Sequence, residues 1–149
     1  MAKVHHFDAF HFMALTVCLS RGSISLSLQE TELTKVSNRD VIIKVLHSSI
    51  NYKDKLICAG NPGLVRRFPH VAGIDAVGEV VSPNAAKFLP GDNVMVIATP
   101  LGVKCAGGFA EYIKVPEDWV MSIPDELSAK DVAIIGTAGF TAALALLTL

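Results

Sequence analysis

The sequence contains little cysteine and almost no net charge. Its three cysteines (Cys18, Cys58 and Cys105) are widely separated and form no Cys-x-x-Cys pair. This pattern excludes a disulfide framework and predicts a reducing, cytoplasmic location. The 13 basic and 14 acidic residues leave a net charge of −1, which excludes a general electrostatic nucleic-acid binder. No Gly-x-Gly-x-x-Gly follows a strand-like segment, so the sequence offers no loop for dinucleotide phosphates.

Long apolar segments are also scarce, and neither of the two present predicts a membrane association. Residues 9–19 follow Asp8 rather than a basic region and lack a cleavage site, so they predict a buried first strand. Residues 132–149 carry no charge and just reach the length of a membrane-spanning helix. Gly136 and Gly139 interrupt this segment, which favours a helix that breaks at the glycines and packs against a core.

The remaining pattern predicts one domain that is mainly β with some α. Hydrophobic residues make up 51% of the 149 residues, enough for one core. Residues 1–10 are expected to be a loose leader, residues 11–127 a β-rich domain, and residues 128–149 helical after a cap at Ser128. The helix over 52–58 is expected to begin after the capping residue Asn51. Strand-like periodicity covers seven segments: 12–19, 24–28, 40–47, 71–81, 93–98, 109–115 and 119–123.

Five short motifs occur in a fixed order, and together they carry a family resemblance. They are 51–54 (NYKD), 73–78 (GIDAVG), 90–94 (PGDNV), 107–112 (GGFAEY) and 136–142 (GTAGFTA). The set resembles the catalytic domain of medium-chain dehydrogenase/reductases, in the quinone oxidoreductase and acryloyl-CoA reductase branch. The resemblance implies a GroES-like, partly open β-barrel over 11–127. It further implies that 128–149 is the helical start of a nucleotide-binding Rossmann domain that the 149 residues do not contain.

The zinc ligands of related alcohol dehydrogenases are missing from the matching positions. The resemblance places Asn51 where those enzymes have a cysteine, and Ile74-Asp75 where they have a His-Glu pair. Isoleucine has no lone pair, and an amide replaces a thiolate poorly. Of the four cysteines of their structural zinc site, only Cys105 lies nearby. We therefore expect no metal.

The resemblance also nominates site residues. It implies that Tyr52 contacts the nicotinamide of the cofactor, where its hydroxyl can donate a hydrogen bond or a proton. Asn51 can donate its amide to a developing enolate oxygen, and Thr137 is placed near the nicotinamide. Arg66 can meet a phosphate of the cofactor or of coenzyme A, and Asp54 is a second candidate substrate contact. The structural alternatives are a helix cap for Asn51, packing for Tyr52 and Thr137, and solvent exposure for Arg66.

The implied function is reduction of an activated C=C bond with NADPH and without zinc, on a quinone or an acryloyl thioester. We expect the 149 residues alone to be inactive, because the resemblance puts most of the cofactor site beyond them. The alternative is a non-enzymatic truncated product or a GroES-like assembly module. An exposed surface over 132–149 can drive formation of a homodimer. The substrate, the preference for NADPH over NADH, and the oligomeric state stay open at this point.

Overall fold

The computed structural model describes residues 10–33, 36–37, 39–82 and 86–149. These residues form β-strands, two α-helices and a 3₁₀ turn at Glu117–Trp119. In chain order the elements are β1 (Phe10–Ser20), β2 (Ser23–Leu33), β3 (Asp40–His47), α1 (Tyr52–Cys58), β4 (His70–Val71), β5 (Ala76–Val80), β6 (Asn93–Val96), β7 (Tyr112–Pro116), β8 (Met121–Ser122) and α2 (Ala129–Leu147). β1 begins at Phe10, the last residue of the predicted leader, and residues 1–9 lie outside the described residues.

The described strands form two antiparallel sheets. One has the strand order β2-β1-β4, and the other has the order β7-β3-β5-β6-β8. An isolated bridge between Ala14 and Ala110 joins them, and the backbone N–H of Leu15 donates to the carbonyl oxygen of Phe109 at 2.8 Å. The predicted mainly β class is confirmed, but the two sheets do not close into a barrel.

The predicted bounds of β3 and α1 match the structure, whereas the predicted strand over 71–81 is divided in two. The division occurs at Gly73, whose φ of +105° is unfavourable for other residues. A Cβ atom there would lie 2.4 Å from the backbone nitrogen of Phe109, because the glycine-rich loop runs directly against this segment. The backbone N–H groups of Gly107, Gly108 and Phe109 donate to carbonyl oxygens of residues 71–73, which replaces the missing sheet pairing.

Three buried clusters hold the elements together. The largest lies on the five-stranded sheet and includes Val41, Ile43, Val80, Val94 and Val115. The second packs α1 against the three-stranded sheet and the segment before β5, through Val17, Ile57, Val65, Ala72 and Ile74. The third is small and joins the first turns of α2 to β5 through Val77, Val132 and Ala133. Burial of a side chain of this size contributes about 1.5–3 kcal/mol, so the second cluster fixes α1 in place.

Helix α2 breaks at Gly136, as the glycine pattern predicts, but only its first part is packed. Gly136 has φ +50° and ψ −165°, which separates 129–135 from 137–147. The predicted packing against a core is limited to Val132, Ala133 and Gly136, and apolar side chains such as Leu144 and Leu147 are exposed. By length and composition alone, the helix Ala129–Leu147 could cross a membrane. Its apolar stretch has a mean hydropathy of 1.5, and 17% of that stretch is buried.

Candidate active site

The site begins at the turn that leads from β3 into α1. Asn51 occupies the N-cap position with an extended backbone, φ −116° and ψ 161°, as the sequence predicts. Asp54, in the first turn, accepts the backbone N–H of Asn51 at 2.8 Å through Oδ2 and that of Ile74 at 2.9 Å through Oδ1. The carboxylate therefore fastens the start of α1 to the segment before β5.

Asp54 is only 2% exposed, and burial raises the pKa of its carboxyl group. The hydrogen bonds from Asn51 and Ile74 act in the opposite direction, and the nearby charge of Asp75 adds to the increase. Both carboxylate oxygens are occupied by backbone donors. Asp54 was a candidate substrate contact, but the structure gives it a buried structural position, and we do not propose a substrate role for it.

A second carboxylate, Asp75, lies at the centre of the site and is fully buried. Its Oδ2 accepts hydrogen bonds from Ser49 Oγ at 2.8 Å, Asn51 Nδ2 at 2.9 Å and the backbone N–H of Thr137 at 2.8 Å. Its Oδ1 accepts the Thr137 hydroxyl. The backbone carbonyl of Asp75 also accepts the Ser48 hydroxyl at 2.6 Å. One carboxylate thus joins the β3–α1 turn, the β4–β5 segment and α2.

The break in α2 makes this arrangement possible. A Cβ atom at Gly136 would lie 2.5 Å from Ser49 Oγ and 2.9 Å from Asp75 Oδ2, and the positive φ disfavours any other residue. After the break, the helix restarts at Thr137 with its N-terminal N–H directed at the Asp75 carboxylate. A carboxylate satisfies such a free N–H and interacts favourably with the positive end of the helix dipole.

The network fixes the direction of the Asn51 side chain. An ionised carboxylate only accepts hydrogen bonds, so the amide nitrogen of Asn51 must face Asp75. The Asn51 side chain also takes part in the capping box with Asp54 at the start of α1. The Thr137 hydroxyl donates to Asp75 and accepts the backbone N–H of Ala98 at 2.9 Å, so one lone pair and the methyl group remain. Tyr52 is 74% exposed beside them.

The structure brings together some of the predicted residues and separates one. Asn51 and Thr137 share a single partner in Asp75, and Tyr52 follows Asn51 at the start of α1. Arg66 lies beyond the other end of α1, in a separate cleft. Sequence reasoning assigned Asp75 only to a missing zinc site and overlooked Ser49. The available signal was a lone carboxylate inside the apolar, glycine-flanked segment 73–78.

The donor set at this place does not suit a zinc ion. Within residues 10–33, 36–37, 39–82 and 86–149, no group of three or more His, Cys, Asp or Glu side chains could hold a metal. Ile74 offers no side-chain donor atom, and both oxygens of Asp75 already accept hydrogen bonds. A metal ligated by Asp75 would have to displace bonds that hold three chain segments together.

Comparison with known proteins places the chain in a family. Residues 37–125 match the model of the alcohol dehydrogenase GroES-like domain. The chain belongs to this family. The solved structures similar to this GroES-like domain are oxidoreductases of the medium-chain dehydrogenase/reductase superfamily, as the motifs predicted.

Three relatives illustrate the similarity. The quinone oxidoreductase YhfP of Bacillus subtilis is 41% identical over 133 residues, which is 89% of this chain and 40% of the relative. Its structure with NAD bound gives a TM-score of 0.85. The acrylyl-CoA reductase AcuI of Ruegeria pomeroyi is 35% identical over 86% of this chain and 39% of its own. The solved structure of the yhdH oxidoreductase of Salmonella enterica in complex with NADP is 36% identical and gives a TM-score of 0.86. The match covers 92% of this chain and 42% of the relative. The GroES-like chain therefore spans about 40% of the length of these relatives.

Proposed function

We propose that the chain is the catalytic-domain portion of an NADPH-dependent oxidoreductase that reduces activated C=C bonds without zinc. The substrate would be a quinone or an acryloyl thioester, in keeping with what the relatives' names state. A substrate of this kind develops negative charge on its carbonyl oxygen as a hydride reaches the β-carbon. The protein must therefore supply a hydrogen-bond donor at that oxygen and a proton source.

One observation carries this proposal: the Asp75 carboxylate fixes the Asn51 amide at an accessible position beside Tyr52. Because Asp75 holds its amide nitrogen at 2.9 Å, the half-buried Asn51 side chain is an already oriented amide that can stabilise a developing enolate oxygen. A donor that is already oriented stabilises the charge without first having to reorganise. Tyr52 contributes an exposed ring for packing against a nicotinamide and a hydroxyl that can donate a proton.

The residues present fit the nicotinamide part of the cofactor. Exposed Tyr52 and half-buried Asn51 and Thr137 form an open, mixed polar and aromatic surface, which suits a flat amide-bearing ring. NADPH, when bound, would supply the hydride. The structures of relatives contain NADP, NADPH or NAD. The use of NADPH by this chain is therefore part of our proposal. A zinc-independent reaction is supported by the donor set at Asn51, Ile74 and Asp75, which is poor for zinc.

Reduced nicotinamide mononucleotide is the first probe of this proposal, because it carries only the part of the cofactor that the site is proposed to contact. We expect its titration into the chain to perturb the NMR signals of Asn51, Tyr52 and Thr137. Tyr52→Phe should keep the binding position, because it keeps the ring. Asn51→Ala should lower the rate of alkene reduction in protein that contains this domain. Each donor to a developing oxyanion contributes about a hundredfold in rate.

Deuterated cofactor gives the second readout, since the proposed reaction places deuterium on the β-carbon of the alkene. Lys130→Gln is a matched control, because Lys130 is exposed on the first turn of α2 and has no part in the site. Nicotinamide perturbations confined to another surface would contradict the proposal. So would full reductase activity in an Asn51→Ala, Tyr52→Phe double variant.

We further propose that the chain forms a homodimer in the cytoplasm. The exposed apolar side chains of α2, including Ile134, Phe140 and Leu144, support an interface on this helix. The three free cysteines support a reducing compartment. Sedimentation equilibrium tests the dimer, and Leu144→Glu should shift the chain to the monomer if α2 forms the interface.

A further inference from the structure

A cleft of about 420 Å³ lies at the opposite end of α1 from Asn51 and Tyr52. It is lined by the turn that follows α1 and by the loop between β6 and β7. The lining residues are Gly63, Leu64, Arg66, Arg67, His70, Val103 and Lys104. None of them is an aspartate or a glutamate. In a chain with a net charge of −1, a cleft lined by three cationic side chains and no acidic one is a local concentration of positive charge.

The three cations are not neutralised within the part of the chain that the structure describes. Arg66, Arg67 and Lys104 are exposed, and none forms an ion pair with a described residue. The backbone N–H groups of Arg66 and Arg67 are likewise not used in any hydrogen bond among the described residues. Consecutive free N–H groups and arginine side chains together suit an anion with several oxygen atoms.

The walls of the cleft are held by packing, so the cations project from a fixed frame. Val65 belongs to the buried cluster around Ile57, and the partly buried Leu64 and Val103 pack against that cluster. The His70 ring donates through Nε2 to the carbonyl oxygen of Gly102 at 2.6 Å, which joins the two walls. A pre-formed frame lowers the entropy cost of binding.

We propose that this cleft binds a phosphate group of a ligand through Arg66, Arg67 and Lys104. The guanidinium groups match the geometry of phosphate oxygens and can each form two hydrogen bonds, whereas Lys104 adds a point charge. A helix of seven residues is about 10 Å long, so the phosphate would be held about that far from Asn51. The proposal does not depend on the redox chemistry of Asn51 and Tyr52. The phosphate can belong to a dinucleotide cofactor or to a phosphorylated substrate.

The test is calorimetric titration of the full chain with inorganic diphosphate at low and high salt. We expect saturable binding that weakens with salt. Arg66→Gln, Arg67→Gln and Lys104→Gln should each weaken it about fivefold, in the range for a charge-assisted bond at a solvent-accessible site. Arg66→Lys keeps the charge but loses the planar fork, and it should fall between the wild type and Arg66→Gln.

Two exposed cations outside the cleft, Arg39 and Lys130, provide matched controls, and their Gln variants should bind diphosphate as the wild type does. Equal losses in cleft and control variants would mean a net-charge effect and would overturn the proposal. Absence of saturable binding at millimolar diphosphate would overturn it as well. Titrations with 2′,5′-ADP and 3′,5′-ADP distinguish the sources, because a 2′-phosphate is found on NADP and a 3′-phosphate on coenzyme A. Tighter binding of either compound supports the site and identifies the ligand.

Discussion

Replacement of Asp75 by alanine tests the central feature of the site. The change removes the acceptor for four donor groups: the Ser49 hydroxyl, the Asn51 amide, and the backbone N–H and hydroxyl of Thr137. A buried donor left without a partner costs about 1–3 kcal/mol. Two effects reduce the total loss: the donors here are partly accessible to water, and removing the buried carboxylate also removes the cost of its desolvation. We therefore expect a loss of about 3 kcal/mol in the free energy of unfolding.

Urea unfolding followed by circular dichroism measures this loss, and hydrogen exchange at the Thr137 amide shows where it arises. Exchange at Thr137 should accelerate strongly in Asp75→Ala, because its N–H loses the carboxylate. Asp75→Asn is the matched comparison. It keeps one acceptor oxygen but loses the charge and places an amide donor in the site, so a loss of about 1–2 kcal/mol is expected. A stability for Asp75→Ala within about 0.5 kcal/mol of wild type would refute the view that this carboxylate holds the three segments together.

Three further predictions follow from the same region. In thermal unfolding, Gly136→Ala should destabilise the chain by about 2 kcal/mol or more, because it combines a positive φ with a clash against Ser49 and Asp75. Gly139→Ala is the control: it lies at an ordinary helical position where only the Ile135 side chain must move, so it should be neutral or stabilising. Because the pKa of Asp54 is raised in the folded state, its contribution to the free energy of unfolding is complete below about pH 4, the unfolded-state pKa, and is lost as the pH rises through the folded-state pKa. Asp54→Asn should flatten this dependence of the free energy of unfolding on pH, and an unchanged slope would contradict the prediction. Tyr52→Phe should leave the free energy of unfolding within about 0.5 kcal/mol of wild type, because the ring is 74% exposed.

Local patterns were sufficient for several elements. The β-branched run in β3 and the capping residue before α1 predicted both elements with their observed bounds. The break of α2 followed from its glycines. These features depend on neighbours a few positions apart, which a sequence displays directly. The family resemblance added the GroES-like class, which no single periodicity contains.

The division of the predicted 71–81 strand could not be derived in this way. It depends on the contact between Gly73 and the loop at Gly107–Phe109, more than thirty positions away in the chain. For the segment 132–149 the sequence allowed both packing against a core and an exposed surface, and it could not decide between them for a related reason. An apolar helical pattern shows that a face can be buried, but not whether a partner surface lies against it.

The sequence by itself determined most of the elements. The family resemblance that it carries supplied the candidacy of Asn51, Tyr52 and Thr137 and the comparison of Asn51, Ile74 and Asp75 with zinc ligands. The tertiary structure alone decided that Asn51 and Thr137 share the Asp75 carboxylate, that Asp54 is buried in the first turn of α1, and that Arg66 joins Lys104 at a separate cleft. Each of these relations links residues 20 to 62 positions apart. Capping and periodicity act over one or two turns of chain, whereas a shared carboxylate or cleft exists only after distant segments have packed together.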